Sequence, residues 1–148
     1  FDGGREKAPA ALCRKIINAK LNSKDTIDVW GDGNQTRSFM YIDDCIIGTK
    51  KLFLSDSSDV YNIGSEEQVS INQMIEIIQE IAGIRLKKNY LLDKPLGVRG
   101  RSSDNSLIRE KIQWDTNIKL KTGLEKTYKW IFDQITTGIN HNKFTNKY

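Results

Sequence analysis

Apolar residues recur along this chain with two periods. From residue 9 to about 21, Ala11, Leu12, Cys13, Ile16 and Ile17 fall on one helical face, and Pro9 suits the first turn. Residues 121–137 repeat the pattern, with Leu124, Tyr128, Ile131, Phe132 and Ile135 in a single stripe. Between them, Ser70 and Gln73 form a capping box ahead of Ile71, Met74, Ile75, Ile78, Ile81 and Ala82, and Gly83 supplies the stop. Cys45, Ile46, Ile47, Leu52, Phe53 and Leu54 predict a further helix running to about residue 55, with Asp43 or Asp44 as its cap. A short helix behind a cap at Ser103 or Asp104 is expected to carry Leu107, Ile108 and Ile112 inward.

Strand signals are fewer. Ile27, Val29 and Trp30 read as one strand, and Asp32-Gly33 as a turn that tolerates positive φ. Arg37, Phe39 and Tyr41 then alternate with Ser38, Met40 and Ile42, so a β-hairpin is expected that runs into the following helix. Residues 60–63 and 86–92 predict two more strands, the first short and buried in character. The sum is an α/β chain with a hairpin, short strands and about five helices.

Composition narrows the classes. The 148 residues suit one domain and hold enough apolar content for a core. The net charge of +4 comes from scattered lysines interleaved with 19 acidic residues, which describes a solvated basic surface rather than a nucleic-acid partner. Cys13 and Cys45, both on amphipathic helices, argue for reduced core thiols in a cytoplasmic protein. No apolar run is long enough to suggest a membrane partner. The chain begins at Phe1 and enters a motif at once, so a piece of a longer protein is expected.

Candidate chemistry sits at three places. Lys7 precedes a helix start, where the helix dipole and nearby Arg5 disfavour an ammonium and would ready it for proton exchange if it were also desolvated, although a lone lysine in a charged turn is ordinarily solvated. A glycine turn followed by Arg37 brings backbone N–H groups, the Gln35 amide and a guanidinium together, an arrangement suited to a phosphate or a polar sugar edge. The loop at 97–104, GVRGRSSD, pairs two glycines that admit a close ligand with Arg99 and Arg101, whose planar forks match phosphate oxygens. Two other signals carry nothing. Tyr90 and Lys94 have the spacing of a catalytic Tyr-x-x-x-Lys pair, but Pro95 follows directly and the pair needs a helix. His141 stands alone in a patternless tail at 138–148, with no partner for a triad or a metal.

WGDGNQTRSF (residues 30–39) resembles a signature of the C-terminal half of nucleotide-sugar epimerases and dehydratases, the extended short-chain dehydrogenases. GGREKAPAALCRK (3–15), YNIGSEEQVSINQM (61–74) and GVRGRSSDNSLIREKIQW (97–114) extend the likeness from residue 3 to about 135, and the first and last of these are similar to the branch that epimerises a GDP-mannose-type sugar at C3 and C5. The resemblance implies that residues 1–137 are the substrate-binding part of such an isomerase and that a dinucleotide-binding Rossmann half is missing. Residues 44–63 would pack on that half. It also implies NAD as cofactor, held mainly by the missing half, a GDP-mannose-type nucleotide sugar as ligand, and a homodimeric full-length protein. In the implied mechanism the sugar is oxidised at C4, protons at C3 and C5 are exchanged, and C4 is re-reduced. Lys7 matches the catalytic lysine. Glu6, Lys7, Ala8, Lys15, Gln35, Thr36, Arg37, Arg101 and Tyr128 match substrate-binding positions, with Lys15 and Arg101 toward the diphosphate and the Tyr128 hydroxyl toward the nucleotide. The alternatives are another nucleotide-sugar epimerase, dehydratase or decarboxylase, or a non-catalytic nucleotide-sugar or nucleic-acid binding module.

Overall fold

The structure, a computed structural model, describes residues 6–95 and 97–138. Helix α1 (Ala8–Leu21) begins with Pro9 in its first turn and buries Leu12, Cys13, Ile16, Ile17 and Ala19. Strand β1 (Thr26–Trp30) follows, with Ile27 and Val29 turned to the core and Asp28 and Trp30 to the other side. After a glycine turn come β2 (Thr36–Ser38) and α2 (Ile42–Phe53). A long connection leads to β3 (Gln68–Ser70), which runs straight into α3 (Ile71–Ala82). The chain continues through β4 (Lys87–Leu91), β5 (Gly100–Arg101), α4 (Ser106–Ile112) and α5 (Leu120–Thr137).

Helices α1, α3 and α5 pack on one another and against β1, and their stripes make the core: Ile16 and Ile17, Met74, Ile75 and Ile78, Leu124 and Ile131. Helix α3 has the expected local signals. Ser70 Oγ accepts the N–H of Gln73 at 3.1 Å, Gln73 Oε1 accepts that of Ser70 at 2.9 Å, and Gly83 closes the helix in the left-handed region at φ 66°.

The expected hairpin does not form. Gly31 and Gly33 do take positive φ (70° and 72°), and a Cβ on Gly33 would lie 2.4 Å from Asn72 Oδ1. The two arms nevertheless separate. β1 pairs in parallel with β4, from Thr26 with Lys87 to Trp30 with Leu91. β2 sits in a second sheet of order β3-β2-β5, antiparallel to β3 and parallel to β5. The reason is backbone satisfaction: β2 spans only three residues, so a hairpin would leave much of β1 unpaired, whereas β4 matches it over all five positions.

Four further expectations change. Residues 60–63 form no strand, and Val60 is 91% exposed, because no described strand lies alongside. Helix α2 is capped by neither aspartate: Tyr41 is its N-cap, Asp43 and Asp44 lie in its first turn, and the buried Asp44 accepts the N–H groups of Asn117 (3.0 Å) and Ile118 (2.8 Å). Leu107 faces outward on α4, leaving Ile108 as its buried residue, while Asp104 Oδ1 takes the N–H of Ser106 at 2.9 Å. Cys45 is half-buried rather than core. The outer side of α2 and the loop beyond it expose Ile42, Ile46, Ile47, Phe53 and Leu54, while Tyr61 is half-buried.

Candidate functional site

A cavity of about 380 Å³ opens where the N-terminus of α1 meets β1 and the glycine turn. Its charged wall is built by the approach to α1. Lys7 is the N-cap residue in extended conformation (φ −76°, ψ 164°), which folds the preceding Glu6 back along the helix. Glu6 meets Arg14 there: the guanidinium Nε donates to Glu6 Oε1 at 2.7 Å and Nη2 contacts the same oxygen. The Glu6 side chain is only 7% exposed. Burial pushes its carboxyl up, but its own backbone N–H and the Arg14 guanidinium outweigh that, and the group is held below the ordinary glutamate value. Its second oxygen, Oε2, is buried and meets no donor among the described residues, and the same is true of Oε1 of Gln35, which also lines the cavity. Lys15 lines the cavity as well and donates from Nζ to the carbonyl of Asp28 at 3.0 Å. The arrangement sets two ammonium groups and two unpaired acceptors around one space, which suits a ligand carrying both negative charge and hydroxyl donors.

A second, more open cavity of about 270 Å³ holds two arginines. Arg37 on β2 and Arg101 on β5 are register partners in the parallel ladder, and both line this cavity. Arg37 donates from Nη1 to the Thr36 carbonyl at 2.6 Å. The ladder brings its strands close: a Cβ on Gly100 would sit 3.0 Å from Thr36 Oγ1, and Thr36 N–H donates to the Arg99 carbonyl at 2.9 Å. The other wall is Gly64 against Ser103, where a Cβ on the glycine would be 2.6 Å from Ser103 Cβ. The fully buried Asn105 ties these pieces together, donating to the Gly64 carbonyl (2.9 Å) and to Asp115 Oδ1 (3.0 Å) while accepting from Ser103 Oγ (2.7 Å).

Of the residues singled out in the sequence, Glu6, Lys7, Ala8, Lys15 and Gln35 line the first cavity, and Arg37 and Arg101 the second, with Thr36 between Gln35 and Arg37 on the chain. Lys15 and Arg101, expected on one diphosphate, therefore line different cavities. Lys7 is exposed, so the described residues do not supply the desolvation that its proposed proton exchange would draw on. Gly3, Gly4, Arg5 and His141 lie outside the described residues, as does the tail from residue 139.

Tyr128 matches a nucleotide-binding position through its hydroxyl alone, and its ring belongs to the core. It is 8% exposed in the α1–α5 core, stacked on Phe132 with ring centroids 6.2 Å apart, and it lines neither cavity. Its hydroxyl is buried without a partner among the described residues, and desolvation, with a smaller contribution from Cys13, raises its pKa. The tyrosine continues the Leu124–Ile131 stripe, and that apolar period decides its direction. Sequence reasoning missed Trp30, half-exposed on the wall of the first cavity, and the pairing of Arg14 with Glu6. An aromatic beside a glycine turn was the available signal for Trp30. The rejected pair is also explained: Tyr90 lies on β4 and its hydroxyl donates to Asn72 Oδ1 at 3.0 Å, while Lys94 sits in the following turn.

The described residues do not fit a dinucleotide. Gly31 and Gly33 lead into a strand, not into a helix N-terminus that would receive a pyrophosphate, and β1 with β4 makes a sheet of two strands only. Among these residues no group of histidines, cysteines and carboxylates could hold a metal ion, and no helix is long and apolar enough to cross a membrane.

Residues 3–127 match the family described as GDP-mannose 4,6 dehydratase. The chain is 50% identical over 135 residues to a GDP-mannose 3,5-epimerase of Arabidopsis thaliana, covering 91% of this chain and 34% of that protein. A putative GDP-L-fucose synthase of the same plant is 32% identical over 84% of this chain and 38% of its own length. The chain thus spans about a third of the length of the curated relatives it matches. Among solved structures, a UDP-glucose 4-epimerase of Thermotoga maritima with UDP-glucose superposes with a TM-score of 0.80 over 89% of this chain and 41% of its own, at 22% identity, a likeness of fold. A UDP-glucuronic acid 4-epimerase of Bacillus cereus in complex with UDP-glucuronic acid and NAD gives 0.70 at 34% identity, over 81% of this chain and 39% of its own.

Proposed function

From the premise that the chain belongs to the GDP-mannose 4,6-dehydratase family, with the α/β fold of the extended short-chain dehydrogenases, we propose that it is the substrate-binding part of a nucleotide-sugar epimerase acting on GDP-mannose at C3 and C5. The observation that carries this reading is the first cavity, where Lys7 and Lys15 share a wall with the unpaired acceptors Glu6 Oε2 and Gln35 Oε1. A sugar supplies hydroxyl donors to those oxygens. A diphosphate supplies the negative charge that the lysines and the Arg37–Arg101 pair take up. The 50% identity to a GDP-mannose 3,5-epimerase favours guanosine and mannose over other nucleotide sugars.

In this reading Lys7 is one member of an acid/base pair, because inversion needs a proton removed on one face and returned on the other, and the second member, a cysteine by the family resemblance, belongs to the Rossmann half. Lys7 lines the cavity as the N-cap of α1, its carbonyl taking the Ala11 N–H at 3.0 Å and its side chain exposed, where an ammonium can deliver a proton to the carbanionic carbon next to a C4 ketone and the neutral amine can remove one. Glu6, Ala8, Lys15, Gln35, Thr36, Arg37 and Arg101 bind and orient the ligand. Tyr128 is held in the core by its ring, and in this reading its unpartnered hydroxyl is the atom turned to the nucleotide. NAD, and the redox chemistry it supplies when bound, belong to a Rossmann half outside this chain, and residues 44–63 pack against that half through the exposed apolar side of α2. A cytoplasmic location for the complete protein belongs to the same proposal, and the free thiols of Cys13 and Cys45 support it.

The test is solvent exchange. The full-length protein incubated with GDP-mannose in deuterated buffer should incorporate deuterium at C3 and C5, read by proton NMR, and should lose that activity with Lys7→Met. Exchange with another nucleotide sugar but not with GDP-mannose would move the assignment within the family, and absence of both exchange and binding would remove it.

A further inference from the structure

The contact between Arg14 and Glu6 is one-sided. A guanidinium that meets a carboxylate end-on consumes both oxygens. Here Nε and Nη2 both address Oε1, and Oε2 of this cavity-lining residue is left buried with no donor among the described residues. A buried, charged acceptor without a partner is costly and persists only where the surrounding structure holds it. What holds it is local. Arg14 stands seven positions after Lys7, close to two turns, so it lies over the segment that Glu6 occupies as the chain enters α1.

We infer that Arg14 is the positioning residue of the cavity: by gripping Oε1 alone it fixes the Glu6 carboxylate so that Oε2 faces the cavity as the acceptor for a hydroxyl of the bound sugar. The inference rests on reading the cavity as a nucleotide-sugar site. A lysine would serve less well, because a single ammonium lets the carboxylate swing whereas the planar fork sets its orientation. The other charged groups that line the cavity with Glu6 and Arg14 are Lys7 and Lys15 on the α1 side and Asp28 on β1; Lys15 donates to the Asp28 carbonyl, and Asp28 Oδ1 accepts from the Asn89 amide at 2.8 Å. Arg14 also opposes the burial that would otherwise raise the Glu6 carboxyl, so its loss should let Glu6 protonate at higher pH.

The experiment is a double-mutant cycle in the full-length protein with GDP-mannose as probe, using Arg14→Leu, Glu6→Gln and the two combined, with Arg14→Lys as the conservative variant. Binding should weaken about tenfold in each single variant and little further in the double, since both remove one interaction. Arg14→Lys should recover part of the loss. In Arg14→Leu the acid limb of the binding profile should move to higher pH, and with Glu6→Gln in place the Arg14 substitution should leave that limb still. Should Arg14→Leu fail to fold, Arg14→Lys with Glu6→Gln completes the same cycle. Multiplicative effects with an unmoved acid limb would overturn the role of Arg14 alone. A wild-type protein that binds no GDP-mannose would overturn both this inference and the function on which it rests.

Discussion

Arg37 and Arg101 face each other as register partners on adjacent parallel strands, two like charges where sheets ordinarily place opposite ones. Their repulsion works against folding and in favour of an anion that bridges them. Arg101→Ala in the complete protein should therefore weaken GDP binding by about 1.5 to 3 kcal/mol, the range for a hydrogen bond to a charged group, while leaving the melting temperature unchanged or slightly raised. Isothermal titration with GDP, paired with thermal unfolding, reads both arms. Equal GDP affinity in wild type and variant would detach this pair from the diphosphate.

Lys7 offers the converse separation. It is exposed at a helix entrance, so Lys7→Met should leave the fold intact. Epimerisation should stop, while affinity for the nucleotide sugar should change by no more than about tenfold, roughly 1.4 kcal/mol. Single-turnover exchange measured beside equilibrium binding checks the pair of outcomes, and near-normal turnover would take Lys7 out of the chemistry.

Burial alone pushes the Cys13 thiol up to about 12 from an ordinary value near 9. The sign follows from proton binding: above pH 9 the unfolded thiol loses its proton while the folded one keeps it. This contribution to stability is therefore complete below pH 9 and is lost as pH rises toward 12, at about 1.4 kcal/mol per pH unit. Replacing the residue by Cys13→Ala should lower stability near neutrality through the lost volume, yet flatten the alkaline decline relative to wild type. Denaturant unfolding at pH 8, 9.5 and 10.5 checks this, and parallel declines in the two proteins would contradict it. The same burial predicts that native Cys13 resists alkylation.

What could be read from the sequence was local. The Ser70–Gln73 box, the Gly83 stop and the helical stripes depend on residues within a few positions, and each appears where its spacing places it. Pairing partners far along the chain were not legible: nothing near Trp30 announces that Leu91, rather than the arm after the glycine turn, lies beside it. The candidate site divides in the same way. Lysines and arginines flanking glycine turns could be marked, but Arg14 reads on α1 as a solvent-facing companion of Lys15, because its partner lies before the helix begins. Tyr128 combines the two, since its apolar stripe turns the ring inward while the motif match concerns only the hydroxyl.

The exposed side of α2 separates the chain alone from the complete protein. Phe53 is 86% exposed, Leu54 69% and Ile46 58%, and a side chain of this size gains roughly 1.5 to 3 kcal/mol when removed from water. Asp44 and Gly48 fasten the other side of the helix, through the N–H groups of Asn117 and Ile118 and through Trp114, which a Cβ on Gly48 would approach to 2.7 Å. The helix is thus held from within while its apolar side is left for another surface. If the rest of the polypeptide covers that side, Phe53→Asp should destabilise the complete protein by about 2 kcal/mol or more through a buried, unpaired charge. In the isolated chain of 148 residues the same substitution should cost little and reduce self-association. Thermal unfolding of both forms, with sedimentation of the isolated chain, measures the contrast. A substitution equally silent in the complete protein would show that this side of α2 stays in water.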